Sequence, residues 1–268
     1  MRNPKVCVLR TAGTNCDNET AFAFSEAGAV SEIIHINRFI AKEKSLGEYQ
    51  ILALPGGFSY GDDIASGKIF ANELRYKLFD EISRFIEDGK LIIGICNGFQ
   101  ILVKSGLLPG TMPGRRPGNG SFAQDTSLII NDSGKFEDRW VHLKSSPSKC
   151  VWTRNLPEII YLPVAHGEGK FVTKDKEVLE RLKNNGQVVF QYCDQKGNLS
   201  GYPVNPNGSE ADIAGICDAG GRIFGLMPHP ERHADFLQHP AWTAKKGGRE
   251  GDGLKIFKNG VEYARSNL

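Results

Sequence analysis

The sequence predicts an α/β domain built on an open, mostly parallel twisted sheet with helices on both faces. Three observations carry that prediction. Short β-rich runs alternate with helical patterns through the first half of the chain, the order that gives a parallel sheet with right-handed crossovers. Leu91 to Ile95 is a near-continuous apolar run, as expected of a strand covered on both faces. Gly94-Ile95-Cys96-Asn97-Gly98 then sets a thiol in the turn between that strand and a following helix, the context of a nucleophile elbow.

Taken in order, Lys5 to Arg10 predicts a first strand, and Asn18 to Gly28 a helix with alanines and phenylalanines on one side. Ser31 to Asn37 and Gln50 to Leu54 predict the next two strands, the second closed by Pro55-Gly56-Gly57. Ala71 to Gly89 is the clearest helical pattern. Ala71, Leu74, Leu78, Ile82, Phe85 and Ile86 recur at steps of three and four, while Glu73, Arg75, Lys77, Asp80, Glu81 and Arg84 take other positions. Gly89 can cap its end. A helix from Gly98 to Ser105 follows the Leu91 strand.

The second half reads as richer in strands. Candidates are Ser127 to Ile130, Trp140 to Leu143, Cys150 to Trp152, Ile159 to Leu162, Val188 to Tyr192 and Arg222 to Leu226. Lys176 to Asn184 and the tail from Gly253 to Ala264 have helical character. Residues 109 to 120, rich in glycine and proline, read as a surface loop. No linker divides the chain, so 1–268 is expected to be one domain, with a C-terminal extension from about residue 240.

Composition narrows the function. A net charge of +2 over 268 residues gives no electrostatic case for nucleic acid or an anionic membrane. There is no apolar stretch of transmembrane length, and Lys5 to Leu9 is too short for a signal-peptide core, so a cytoplasmic location is expected. The six cysteines, at 7, 16, 96, 150, 193 and 217, form no Cys-x-x-Cys pair. Neither a zinc ribbon nor a disulfide framework is indicated.

Cys96 stands apart from the others. Its flanking glycines allow a sharp turn, and the following helix offers its N-terminus, where the dipole and free N–H groups favour thiolate. The backbone N–H of Asn97 can help hold an oxyanion. Cys16, in Gly13-Thr14-Asn15-Cys16-Asp17, is a second candidate because it too lies in a loop after a strand. The base is expected in Pro228-His229-Pro230-Glu231. The prolines push their predecessors out of helix, and in an extended chain His229 and Glu231 point to the same side. The carboxylate would hold the imidazole in one tautomer, and the imidazole would take the thiol proton. His233 and His239 are rival bases. Gly57, in the turn after Leu54, could supply a second oxyanion donor. On these residues alone a cysteine peptidase, another amidase, or a non-catalytic module on the same sheet stays open.

The combination of Pro55-Gly56-Gly57, Gly94-Ile95-Cys96-Asn97-Gly98-Phe99-Gln100 and Pro228-His229-Pro230-Glu231 resembles the class I, triad-type glutamine amidotransferases. The finer likeness is to the glutaminase subunits of the phosphoribosylformylglycinamidine synthases. It rests on Gly13 to Asp17, Gly57 to Asp63, Cys96 to Gln100, Pro163 to Gly169 and Tyr202 to Ser209. The resemblance implies a flavodoxin-like α/β sheet and a Cys96, His229 and Glu231 triad. It further implies oxyanion donors at Gly57 and Asn97, and glutamine contacts from Gly56, Phe58 and Gln100. His166 and Glu168 would lie near substrate or a partner.

It implies a division of labour as well. This chain would hydrolyse glutamine, binding no cofactor or metal itself. A large synthetase subunit would use ATP and Mg to convert formylglycinamide ribonucleotide to formylglycinamidine ribonucleotide, with a small accessory subunit assisting. Arg10-Thr11-Ala12-Gly13 departs from the proline-glycine turn frequent in the family, and the 109–120 loop and the tail lengthen the chain.

Overall fold

A computed structural model of the chain describes residues 3–110, 124–244 and 248–268. Most of the expected 109–120 loop lies outside the described residues. The first half builds the parallel part of the sheet. Strands β1 (Lys5–Arg10), β2 (Val30–His35), β3 (Ile51–Leu54) and β4 (Leu91–Ile95) alternate with helices α1 (Asp17–Glu26), α2 (Asn37–Ile40), α3 (Lys68–Lys77) and α4 (Phe79–Glu87). A single residue separates β4 from helix α5 (Asn97–Ser105). The second half contributes β5 (Thr126–Ile129), β6 (Glu137–Ser145), β7 (Ile159–His166), β8 (Lys170–Thr173), α6 (Lys176–Asn184), β9 (Val188–Cys193), β10 (Ile213–Cys217), β11 (Ile223–Leu226) and α7 (Leu254–Asn267).

Among the described residues the main sheet has nine strands, in the order β2-β1-β3-β4-β11-β10-β9-β6-β7. From β2 to β11 every neighbour pairs in parallel. From β11 to β7 every neighbour pairs antiparallel. The all-buried patterns of β3, β4, β10 and β11 mark the centre of the sheet. A separate ribbon of β5 and β8 lies over α5, with Phe99 of α5 stacked on Phe171 of β8 at 6.4 Å.

Several expectations needed correction. The helix read from Ala71 to Gly89 is two helices, interrupted at Leu78, where φ is −123° and ψ is 14°. The apolar stripe survives the break: Leu74, Leu78, Ile82 and Phe85 are all buried, so periodicity did not reveal it. Gly89, at φ 77°, closes α4 as expected. Cys150 to Trp152 is no strand but the start of a short 3-10 turn. Its apolar character comes from burial: Trp152 meets Phe24 of α1 edge-on at 6.4 Å, and a Cβ on Gly260 of α7 would lie 2.3 Å from its ring. Strands β8 and β10 and the single-turn helix α2 were not foreseen. The run Ile213-Ala214-Gly215-Ile216-Cys217 is short and carries no alternation, so nothing in its pattern separates a strand from a buried turn.

Candidate active site

Cys96 sits between β4 and α5 with φ 51° and ψ −106°, a backbone state that L-residues avoid. Its neighbours explain how that state is held. The Cys96 N–H donates to Leu226 O of β11 at 2.8 Å, and its carbonyl accepts from Gln100 N–H at 3.1 Å. A Cβ on Gly98 would fall 1.9 Å from Leu54 O. A Cβ on Gly94 would fall 2.6 Å from Gly98 O. Glycine at both positions is therefore a packing requirement: β4, β3 and α5 touch through bare backbone. The thiol is 5% exposed and its S–H points to Ala165 O at 3.6 Å.

The outer edge of β7 brings the remaining groups in. Its Pro163 O accepts from His229 N–H at 2.8 Å. Its Tyr161 O accepts from His233 Nδ1–H at 2.8 Å, and Tyr161 N–H donates to Asp252 at 2.8 Å. Thus residues 161, 163 and 165 present their backbone groups to the site side, while β6 occupies the other edge. Proline suits this position because an edge strand loses no ladder bond to it.

His229 Nδ1 and Glu231 Oε1 lie 2.6 Å apart, both side chains buried. The pair meets by a route that extended-chain alternation did not describe, because Pro230 opens a 3-10 turn that contains Glu231. The Glu231 carboxylate accepts from Nδ1–H, which leaves Nε2 as the ring nitrogen free to accept a proton. Nε2 has no hydrogen-bond partner among the described residues. Burial pushes the imidazole pKa down, but the charges of Glu231 and Cys96 outweigh it and hold His229 well above the ordinary value. A buried imidazole whose charged form is favoured in this way can take up and hold a proton.

Cys16 also reaches this pair. The Cys16, His229 and Glu231 side chains offer ligand atoms within 4.8 Å of one another. The chemistry is not that of a metal centre: the Arg232 guanidinium donates to Cys16 Sγ at 3.2 Å, and Nδ1 is engaged with Glu231. Burial, helped by the Glu231 charge, keeps the Cys16 thiol pKa raised against the opposing hydrogen bond from His229 and the charges of His229 and Arg232. It lies on no elbow, and its φ of −99° is unstrained.

The turn after β3 closes the other side. Gly57, at φ 144°, pairs with Thr14 in an isolated antiparallel bridge. A Cβ on Gly56 would lie 2.7 Å from His229 Cε1 and 3.2 Å from Cys16 Sγ, so only glycine lets this turn approach the imidazole. Phe58 is half-exposed and stacked on Phe136 at 6.4 Å. Gln100 is buried, with its Nε2 donating to Glu168 O at 2.6 Å. Glu168 Oε2 meets Lys104 Nζ at 3.4 Å. His166 is buried and neutral, its pKa pushed down to about 3 by burial and then by the positive charge of His229.

The structure brings Cys96, His229, Glu231, Gly56 and Cys16 together. The rival bases His233 and His239 are buried and pack against Trp140, with ring centroids 5.0 and 5.6 Å away. Sequence reasoning missed the β7 carbonyls of Pro163 and Ala165, Arg232, and Asn131, whose Oδ1 accepts from His166 Nδ1–H at 3.2 Å. Pro163 to Gly169 had drawn notice as a motif; nothing in the pattern marked Asn131.

A strained thiol at the carboxyl end of a parallel sheet, faced by a buried imidazole–carboxylate pair, defines a class I glutamine amidotransferase, and residues 3–264 match the CobB/CobQ-like glutamine amidotransferase domain. The chain is 51% identical to phosphoribosylformylglycinamidine synthase subunit PurQ of Dehalococcoides mccartyi, over 99% of each chain. It is 48% identical to the same subunit of Methanococcus maripaludis, over 97% of each. A chain in the structure of PurLQS from Thermotoga maritima superposes with a TM-score of 0.73 at 33% identity, covering 98% of this chain and 99% of that one. The chain belongs to the PurQ family.

Proposed function

We propose that Cys96, His229 and Glu231 hydrolyse the side-chain amide of glutamine, and that the ammonia serves a phosphoribosylformylglycinamidine synthase in purine synthesis. The observation that carries the residue roles is the convergence of the strained elbow thiol and the 2.6 Å His229–Glu231 pair. In this reading His229 Nε2 takes the thiol proton as sulfur bonds to the amide carbon. The oxyanion lies between the backbone N–H groups of Gly57 and Asn97. The carbon–nitrogen bond then breaks as His229 returns its proton to the nitrogen, releasing ammonia and leaving a glutamyl thioester. Water attacks the thioester, gives a proton to His229, and glutamate leaves as sulfur recovers its proton.

Gly56 and Phe58 border the glutamine pocket. The side chain of Gln100 supports the pocket through Glu168 O, and His166 and Glu168 form the wall nearest the synthetase. Ammonia must stay neutral to act as a nucleophile, so it passes directly to the partner. The Thermotoga maritima PurLQS match supports assembly with a large synthetase subunit, which uses ATP and Mg, and a small accessory subunit. Residues 1–268 act as one glutaminase unit, with α7 of the C-terminal extension locked to α1 through Phe257 and Phe24 at 4.9 Å. No described helix is long and apolar enough to cross a membrane, which is compatible with a cytoplasmic complex.

The test is turnover of the reconstituted complex. With Cys96→Ala, glutamine-driven synthesis is lost and ammonia-driven synthesis is retained. Equal loss of both would contradict the assignment.

A further inference from the structure

One side chain ties together three segments that surround Cys96. Asn97, the first residue of α5, is 2% exposed. Its Oδ1 accepts from Ser59 N–H at 3.2 Å and from Ser59 Oγ–H at 2.7 Å. Its Nδ2 donates to Asp62 Oδ1 at 3.2 Å and to Gln100 Oε1 at 2.9 Å. A carboxamide has two donors and two acceptor lone pairs, so every one is used. Gln100 passes the connection on to Glu168 O at 2.6 Å. The line of bonds runs from the turn after β3, through the start of α5, to the turn after β7.

Nothing in the helix or the elbow needs this side chain. Any residue but proline supplies the backbone N–H after the thiol. A leucine here would fill similar space and leave the Ser59 hydroxyl and Gln100 Oε1 without these partners. The network joins Ser59, two residues beyond Gly57, to Asn97, one residue beyond Cys96. Those are the two backbones that bear the proposed oxyanion donors. Two donors on separate segments act together only if their separation is fixed.

We infer that the Asn97 side chain is a positioning group. It holds the Gly57 turn in register with the Asn97 backbone, so that both N–H groups converge on the developing oxyanion. The inference rests on the reading of Cys96 as nucleophile and of those two N–H groups as donors. Its failure and the failure of that reading give different results.

The test uses the complex with Asn97→Leu, Ser59→Ala and the double variant. Two readouts are compared. One is kcat and KM for glutamine. The other is alkylation of Cys96 by iodoacetamide across pH. Alkylation forms a sulfur–carbon bond as iodide leaves and the thiol proton is lost, with no tetrahedral oxyanion. The expected result is a fall in kcat of about 10- to 100-fold for Asn97→Leu, in the range of a misplaced donor, with KM within about three-fold. The rate and pH midpoint of alkylation stay as in the wild type, and ammonia-driven synthesis is unchanged. Ser59→Ala moves kcat the same way by less, and the double variant is no worse than Asn97→Leu. If Asn97→Leu does not fold, Ser59→Ala carries the comparison. Unchanged kcat in the variants that fold would overturn the inference, as would alkylation slowed as much as turnover. Glutamine turnover retained by Cys96→Ala would instead overturn the reading beneath it.

Discussion

His229 Nδ1 lies 2.6 Å from Glu231 Oε1 with neither side chain open to solvent, and the two reach each other across a single proline. A buried carboxylate this close fixes which imidazole nitrogen carries the proton, and so leaves Nε2 as the one free to act as a base. It also sets a pH dependence. His229 is held above its ordinary pKa, against burial, by Glu231 and Cys96. A raised folded-state pKa gives stability that is fully present below the unfolded value, about 6.5, and is lost as pH rises through the folded value.

Glu231→Gln therefore loses most stability, relative to wild type, at pH 5 to 6, and the deficit narrows as pH rises through the raised value. Melting curves across pH measure it; a deficit constant with pH would contradict the argument. The same variant should lower kcat/KM for glutamine by about 10²- to 10⁴-fold.

The sign reverses for His166. Burial holds its pKa down to about 3, so the unfolded chain takes up a proton that the folded chain refuses. That contribution to stability is present above about pH 6.5 and is lost as pH falls toward 3, by up to about 1.4 kcal/mol per pH unit. His166→Gln should flatten the acid limb of stability between pH 6 and 4, as read by urea unfolding. An unaltered slope would mean that His166 is not the group responsible.

Gly98→Ala should cost more than about 3 kcal/mol, because its new Cβ would fall 1.9 Å from Leu54 O. Backbone on both sides leaves nothing flexible to move. Gly134→Ala is the control for the same change of residue type: nothing lies within 4 Å of its Cβ position, although its φ of 62° carries some strain. Equal costs at the two sites would argue against the tight contact of α5 with β3.

Much of the parallel half was legible because its signals are local. Lys5 to Arg10 and Leu91 to Ile95 are strands with the bounds the sequence suggested. The Cys96 elbow declared itself through the two glycines. The antiparallel half was less legible. β10 has no alternation to read, and Cys150-Val151-Trp152 is apolar for the sake of α1 and α7. The site was half-visible for the same reason. Cys96, His229 and Glu231 each sit in a marked turn. Arg232, Asn131 and the Pro163 carbonyl act through contacts between residues distant in sequence, which only the folded sheet creates.

Cys16 deserves separation from Cys96 by experiment, since both thiols lie near His229. Cys16→Ala should keep at least about a tenth of wild-type kcat, while Cys96→Ala should lose about 10³-fold or more. Steady-state glutaminase assays of the complex decide it.

The most direct measurement is the site of covalent labelling by a glutamine-derived diazoketone, read by peptide mass spectrometry. The thioester chemistry predicts one label, on the peptide bearing Cys96, lost in Cys96→Ala and slowed in His229→Ala. A label carried by Cys16 instead would contradict the account.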